Sequence, residues 1–585
     1  MLESGQKIQA RLSLQRMPAH LSRPAAAAII AQPKYMKNPP MNSTRHILTV
    51  MATLALLGCA ATSPVGPEKD KVYNLTILHT NDHHGRFWKN NDGEYGMSAR
   101  KTVIDQIRSE VTKAGGYSLL LDGGDVNTGV PESDLQDAVP DFKGMNMIGY
   151  DAMAVGNHEF DKPSSVLKMQ RELIQFPMLA ANIYERGQRM FPAYKVFSFG
   201  GLRVGVLGLT TEDTAKMSNP ENLKDIEFRS PIAEAANVVP ELRTKADVVI
   251  TATHMGHYEN GNHGTQAPGD VELARAVRGI DLVVGGHTQN PACMKAENVL
   301  DREYVPGADC RPDRQNGAWI VQAHEWGKYV GRADFQYRNG EFKLVKYALI
   351  PVNLMKPIKA ADGKTTLVPY TSQIAEDKDM LAMLTPYQEF GQQKLLVEVG
   401  STDGRLEGDR AVVRAKPASL AVLIGRALME RTKADFAVVN AGGVRDSFSA
   451  GKLTYKDVLK VQPFGNTTVT LDLSGKEVME YLNAAAKMSV GAGSFAQFAG
   501  VNLVITGNVV TSAAIKGAPV DPGKTYRMVI NNFQAAGGDG YPKMNGHKSY
   551  VDTGYVDADL LRSYITAHSP LKAADYDPGD AVVRK

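Results

Sequence analysis

The 585-residue sequence predicts an α/β protein of two folded domains behind a leader, on three observations. Short apolar runs ending in ligand-type residues recur through the first half. A stretch rich in Glu, Asp, Gln and Lys, which reads as an exposed helix, interrupts the chain between 374 and 396. Beyond it, arginines and phenylalanines stand beside Gly-rich turns. Length agrees, because a chain of this size exceeds what one hydrophobic core supports. A content of 43% hydrophobic and 22% charged residues is that of soluble globular domains. The predicted divisions are a leader over 1–58, a catalytic domain over 72–373, a linker helix over 374–398 and a C-terminal domain over 399–585.

The leader reads as an export signal that starts at Met41, with Arg45 and His46 before an apolar stretch over 47–57 and then Leu56-Leu57-Gly58-Cys59. That ending resembles a lipobox, in which Cys59 is lipidated and becomes the mature N-terminus. Ala60 after it favours sorting to the outer membrane. Cleavage near Ala61, releasing a soluble periplasmic protein, is the alternative. The apolar stretch is too short to span a bilayer. Outside the leader the chain carries 59 basic and 62 acidic residues, a charge of −3, which argues against a nucleic-acid polymer as partner.

Five apolar runs, at 75–78, 119–121, 152–155, 248–251 and 282–284, read as strands covered on both faces. Each is followed by ligand-type residues: Asp82-His83-His84, Gly123-Gly124-Asp125, Gly156-Asn157-His158-Glu159, His254-Met255-Gly256-His257 and Gly285-Gly286-His287-Thr288-Gln289. Sites in open α/β sheets form beyond the carboxyl ends of strands, so these groups are expected to converge on one edge.

Carboxylate, imidazole and amide oxygen around two divalent ions is the ligand set of phosphate-ester hydrolysis. Asp82 and His84 suit one ion and Asn157 and His254 the other, with Asp125 as the bridge. His287 and Gln289 follow the last strand without an assigned ion. His158, three residues before Asp161, reads as a general acid or transition-state stabiliser oriented by that carboxylate. Any one of these short motifs alone is more often a turn, a cap or a satisfied histidine. Five in order, each after a strand, are not.

The segments Thr80-Asn81-Asp82-His83-His84-Gly85, Gly124-Asp125 with Thr128-Gly129, Gly156-Asn157-His158-Glu159-Phe160-Asp161 and Gly285-Gly286-His287 resemble the calcineurin-like metallophosphatases of the bacterial 5'-nucleotidase/UDP-sugar hydrolase family, and within it the lipoprotein 5'-nucleotidases. The resemblance runs from about Tyr73 to the C-terminus. Gln289 replaces the last histidine of the wider Gly-His-x-His pattern, and the resembling nucleotidases share that glutamine. The implied fold is a four-layer metallophosphatase domain, a linker helix and a C-terminal α/β nucleotide-specificity domain. The implied cofactors are two divalent ions, from among Mg, Mn, Zn and Co.

The second constellation comprises Arg410, Arg414 and Arg445, with Phe464 in Gln462-Pro463-Phe464-Gly465-Asn466 and Phe533 in the segment 532–542. By residue type alone these read as a solvated helix face and two core rings. The resemblance reverses that reading. It implies a base held between Phe464 and Phe533, polar contacts from Asn466 and Asp539, a backbone contact from Gly493, and phosphate or terminal-group contacts from the three arginines. It also implies that the C-terminal domain turns on the linker helix to deliver substrate.

Beyond Cys59, Cys293 and Cys310 remain as a pair in an exported chain, either bridged or as free thiols. The resemblance implies a bridge. The expected activity is hydrolysis of nucleoside 5'-phosphates, with UDP-sugars as further substrates, by a monomer. The alternatives are a 2',3'-cyclic-nucleotide phosphodiesterase and a non-catalytic nucleotide-binding surface protein.

Overall fold

The computed structural model describes residues 66–218, 220–258, 267–296, 298–359 and 365–585, so the leader and Cys59 lie outside the described residues. Two six-stranded sheets form the N-terminal part. The first runs in the order Glu341–Pro351, Tyr329–Arg338, Tyr73–Thr80, Tyr117–Asp122, Ala152–Ala154, Met178–Leu179. The second runs Asp313–Gln315, Ala318–Val321, Leu282–Val284, Val248–His254, Leu202–Thr210, Tyr194–Phe199. All five strands expected from the sequence are present, and within each sheet the ligand-bearing strands pair in parallel.

Alternation of side chains along these strands explains the layers. Leu75, Ile77, Leu119 and Leu121 share one cluster with Val248, Ile250, Leu282 and Val284, so those faces of the two sheets pack together. Their neighbours point the other way: Leu78 and Leu120 pack with Val103, Ile104 and Phe142, and Val249 and Val283 with Val238 and Val271. The helices Met97–Lys113 and Pro231–Lys245 thereby cover the outer faces. The result is four layers, helix–sheet–sheet–helix.

Stacking the sheets brings their strand ends within backbone contact. A Cβ on Gly123 would stand 2.6 Å from the carbonyl oxygen of Gly285, and one on Gly156 would stand 2.1 Å from Asp125 Oδ1. The repeated glycines before the ligands are therefore what lets the turns meet.

The helix Lys378–Leu395 leads from this part to the rest of the chain, capped by Asp377, whose side chain accepts from the amide of Met380. Its polar sequence suggested an exposed linker. Instead, Met380 and Leu384 are buried in the core shared with Leu78 and Phe142, so one face of the helix belongs to the N-terminal part. Beyond it, a five-stranded sheet in the order Ala496–Ala499, Phe436–Asn440, Thr525–Asn531, Thr467–Ser474, Val551–Val556 carries the helices Ser419–Thr432 and Gly475–Ala486.

Candidate metal centre and substrate cleft

The expected ligands sit at or just beyond the ends of their strands, His254 as the last strand residue, and five of them, Asp82, His84, Asp125, His287 and Gln289, hold left-handed backbone with φ between 50° and 75°. Non-glycine residues adopt that region at a cost that the surrounding structure must cover, and such positions gather at functional sites. Here the bend is what turns the side chains inward.

Two groups of ligand atoms share Asp125. In the first, His84 Nε2 lies 3.7 Å from Asp82 Oδ1 and 3.8 Å from Asp125 Oδ2, and 2.7 Å from the Gln289 amide. In the second, His254 Nε2 lies 3.0 Å from Asp125 Oδ2 and 3.1 Å from Asn157 Oδ1, while His287 Nδ1 is 3.0 Å from Asn157 Oδ1 and 3.2 Å from His254 Nε2. Thus His287 and Gln289, two residues apart, join different groups.

The donor chemistry fits cations in both places. His84 Nδ1 donates to the carbonyl of Thr128 at 2.8 Å and His254 Nδ1 to that of Gly123 at 2.7 Å, which turns each Nε2 toward the shared Asp125 carboxylate; His84 Nε2 also accepts from Gln289 Nε2 at 2.7 Å. Asp82 Oδ2 accepts from Asn81 Nδ2 and from the amide of His287, whereas its buried Oδ1 has no hydrogen-bond partner. Converging acceptors need a positive charge between them. The same demand shows in titration: burial pushes the His254 imidazole down, but the Asp125 carboxylate outweighs it and lifts the group to about 10. Burial raises Asp125 in turn, and the imidazoles of His254 and His158 override this and hold it well below the usual carboxylate range.

His158 stands between this centre and the C-terminal part. Its Nδ1 meets Asp161 Oδ2 at 2.5 Å and its Nε2 lies 4.0 Å from Asp125 Oδ2, so the pairing with Asp161 fixes which edge faces the ligand groups. Burial lowers the imidazole, but the carboxylates of Asp161 and Asp125 prevail and raise it to about 9. On its other side the Phe464 ring stacks with it, centroids 6.2 Å apart and planes within 9°.

A cleft of about 1310 Å³ runs from His84 and Gln289 to Arg410, Arg414 and Arg445. Arg410 Nη1 donates to Gln289 Oε1 at 3.2 Å, and the Arg445 guanidinium lies 5.6 Å from the Phe464 ring centre. Desolvation deep in the cleft, then mutual repulsion, lowers Arg414 to about 9 and Arg445 to about 10. Asp539, on left-handed backbone at φ 56°, accepts from Asn440 Nδ2 at 3.2 Å, and desolvation raises it to about 6.

Gly493 sits among these groups. A Cβ there would lie 3.6 Å from Asp539 Oδ2 and 3.8 Å from Arg414 Nη2. Phe533 packs its ring over Gly538, whose own Cβ would stand 2.4 Å from it. Asn466 is buried and its carbonyl accepts from the amide of Asp557. Gly493, Asp539 and Arg414 thus stand together, and of the residues expected in the second constellation Phe464 is stacked on His158.

Three contributors were not singled out from the sequence. Glu159 is a buried brace, its carboxylate accepting from the amides of Asp125 at 3.0 Å, Val126 at 2.8 Å and Gly156 at 2.7 Å. Its place inside Gly156-Asn157-His158-Glu159 was the available signal. Asn440 joins Asp539 to Asn531 and precedes the Gly442-Gly443 turn. Trp326, held at φ 61° with Arg86 over its ring at 4.0 Å, lines the cleft and carries no motif.

Cys293 and Cys310 form a disulfide just beyond Gln289, which settles the two readings of that pair in favour of the bridge.

A four-layer sandwich whose candidate cation-binding groups converge on one shared carboxylate, with an oriented histidine beside them, is the arrangement of a metal-dependent phosphoric ester hydrolase. Residues 75–291 match the calcineurin-like phosphoesterase family and residues 398–546 the 5'-nucleotidase, C-terminal domain family. Protein UshA of Yersinia enterocolitica is 57% identical over 544 residues, covering 92% of this chain and 99% of that protein. The 5'-nucleotidase of Vibrio cholerae is 53% identical over 545 residues, covering 92% and 98%. Among solved structures, the 5'-nucleotidase precursor from Thermus thermophilus aligns with a TM-score of 0.69 at 28% identity, covering 88% of this chain and 99% of that one. The chain belongs to the UshA and 5'-nucleotidase family.

Proposed function

We propose that the protein hydrolyses nucleoside 5'-phosphates to nucleoside and phosphate at two divalent cations, one held by Asp82, His84, Asp125 and Gln289 and the other by Asp125, Asn157, His254 and His287. When bound, such a pair activates a water and neutralises charge on the phosphoryl group. The chain's own residues do the rest. Asp125 is shared between the two ligand sets, and Glu159 keeps its turn in place. Asp161 orients His158 and favours its protonated form, so that Nε2 donates to a phosphoryl oxygen as charge builds there.

Arg410, Arg414 and Arg445 hold the substrate's charged groups through their planar forks of donors. Phe464 and Phe533 take the base between them, with Asn466, Asp539 and the backbone of Gly493 as polar contacts. The observation that carries this reading is Gln289: one amide stands against His84 in the first ligand set and accepts from Arg410 of the cleft. The relatives named UshA and 5'-nucleotidase support it. The cleft exceeds the size of common small-molecule pockets, so diphosphate esters such as UDP-sugars belong to the same reading as larger substrates.

The protein is read as exported and anchored to the outer membrane through lipid on Cys59. The disulfide suits an oxidising compartment, and no helix among the described residues is long and apolar enough to cross a membrane. Mass spectrometry of the mature N-terminus tests the anchor. An acylated Cys59 supports it, and an unmodified chain starting after Ala61 contradicts it.

For the activity, phosphate release from AMP, ATP, UDP-glucose and 2',3'-cyclic AMP is measured with and without EDTA, beside His158→Ala. AMP turnover lost to EDTA and cut about a hundredfold or more by the substitution supports the proposal. Turnover that survives both treatments contradicts it.

A further inference from the structure

Glu132 stands on the short turn of helix Pro131–Asp134, and its side chain is 1% exposed. Its Oε1 takes an ion pair from Lys456 and a hydrogen bond from Gln392 Nε2 at 3.0 Å, while Oε2 is buried with no partner. These residues come from three parts of the chain: the catalytic sandwich, the connecting helix and the C-terminal half. The connecting helix passes so close that a Cβ on Gly391 would stand 2.6 Å from Glu132 Cγ. Lys456 is therefore the only full positive charge that the structure pairs with this carboxylate among the described residues.

A carboxylate out of water is costly unless a cation meets it, so the arrangement that presents Lys456 to Glu132 is favoured over those that withdraw it. Lys456 lies at the start of the helix Tyr455–Val461, whose N-terminus is fixed by the reciprocal Thr454 and Asp457 capping bonds. The far end of the same helix leads through Gln462 and Pro463 to Phe464, which stacks on His158. It also accepts, at the carbonyl of Val461, from the amide of Arg445 at 3.0 Å. One short helix of about two turns thus carries the ion pair at its start and two substrate-facing groups at its end.

We infer that Glu132 and Lys456 are a positioning pair, docking the helix Tyr455–Val461 on the catalytic half so that Phe464 and Arg445 meet His158. The inference rests on the nucleotide reading of Phe464 and Arg445, because only substrates held by those groups benefit. The pair acts through them and takes no part in the chemistry, so a substrate that bypasses the C-terminal half is indifferent to it.

The test uses the full mature chain with its cations, carrying Lys456→Gln, Lys456→Arg, Glu132→Gln or both glutamines, on AMP and on 4-nitrophenyl phosphate. Lys456→Gln is expected to lower kcat for AMP about tenfold, a loss between those of exposed and fully buried pairs, with the aryl phosphate unchanged. Lys456→Arg retains AMP turnover, and the double glutamine variant loses no more than the worse single one. Spin labels on Lys343, exposed in the strand Glu341–Pro351, and on Lys433, exposed at the C-terminal end of the helix Ser419–Thr432, supply a readout independent of activity. Lys456→Gln broadens their distance distribution without nucleotide present. Equal losses on both substrates, additive losses in the double variant, or an unchanged distance distribution would overturn the inference. If the parent chain fails to turn over AMP, the nucleotide reading fails first, and the distance measurement still decides whether the pair docks the helix.

Discussion

The turns around Asp125 collect acceptors, whereas the cleft wall around Arg445 collects donors, and the contrast assigns the two halves their parts. At the first, carboxylates, an amide oxygen and imidazole lone pairs converge on points that demand cations. At the second, three arginines crowd together, with Asp539 beside Arg414, an arrangement that suits an anion. On the proposed reading a phosphate ester answers both demands at once, its phosphoryl group against the ligand sets and its remainder among the arginines and rings. The acceptor half is rigid by construction, seated on parallel strand ends with left-handed turns. The donor half is built on loops and short helices, the parts of a fold that vary most freely.

The contrast breaks most completely at the shared carboxylate. Asp125→Asn is expected to lower kcat/KM for AMP and for 4-nitrophenyl phosphate alike, by about a thousandfold or more, since both ligand sets lose charge together. Metal analysis of the purified variant checks the cause, which should show fewer bound ions per chain than the parent.

A smaller effect isolates the support beneath that edge. Glu159→Gln leaves every ligand in place but replaces a carboxylate that takes four backbone amides. Outer groups of this kind alter metal affinity by about 10–100-fold, so activity should be recovered by raising the metal concentration. Activity that no concentration restores would mean that Glu159 does more than brace the turns.

The smallest expected effect on catalysis is at the disulfide. Replacing Cys293 and Cys310 by serine opens a short loop, at a cost of about 3 kcal/mol in stability in the chain-entropy picture, read by denaturant unfolding. The ligand turns are held by Asp82 and Asn81, and kcat for AMP is expected to stay within about threefold at temperatures where the protein is folded.

Much of the acceptor half was legible in the sequence because its signal is local. An apolar run announces a strand, the residues after it announce the edge, and five repetitions exclude coincidence. The pairing of ligands into two sets was not local. Asp82 and His84 were expected together, and are, but the places of His287 and Gln289 depend on which turns of the other sheet they meet. Gln289 turns to His84 and His287 to Asn157, from one short segment.

The donor half was legible only through family resemblance. Arginines four apart and a phenylalanine beside glycine have too many ordinary uses for composition to decide. Trp326 was illegible altogether, since its cleft position follows from a left-handed backbone held by its amide bond to the carbonyl of Asp82. The connecting helix shows the converse error. Its polar residues suggested exposure, while Met380, Leu384, Gly391 and Leu395 are buried, with Met383 and Tyr387 packed on the same core as the first two.

The claim that one half supplies the reaction and the other the substrate is tested most directly by a ratio. The kcat/KM for AMP divided by that for 4-nitrophenyl phosphate is measured for the parent chain, Phe464→Ala and Phe533→Ala. A base stacked on an aromatic ring contributes about 1–3 kcal/mol, so each substitution should lower the ratio by roughly 5–150-fold while the aryl phosphate value holds. A ratio that stays constant because both substrates fall together would contradict the division.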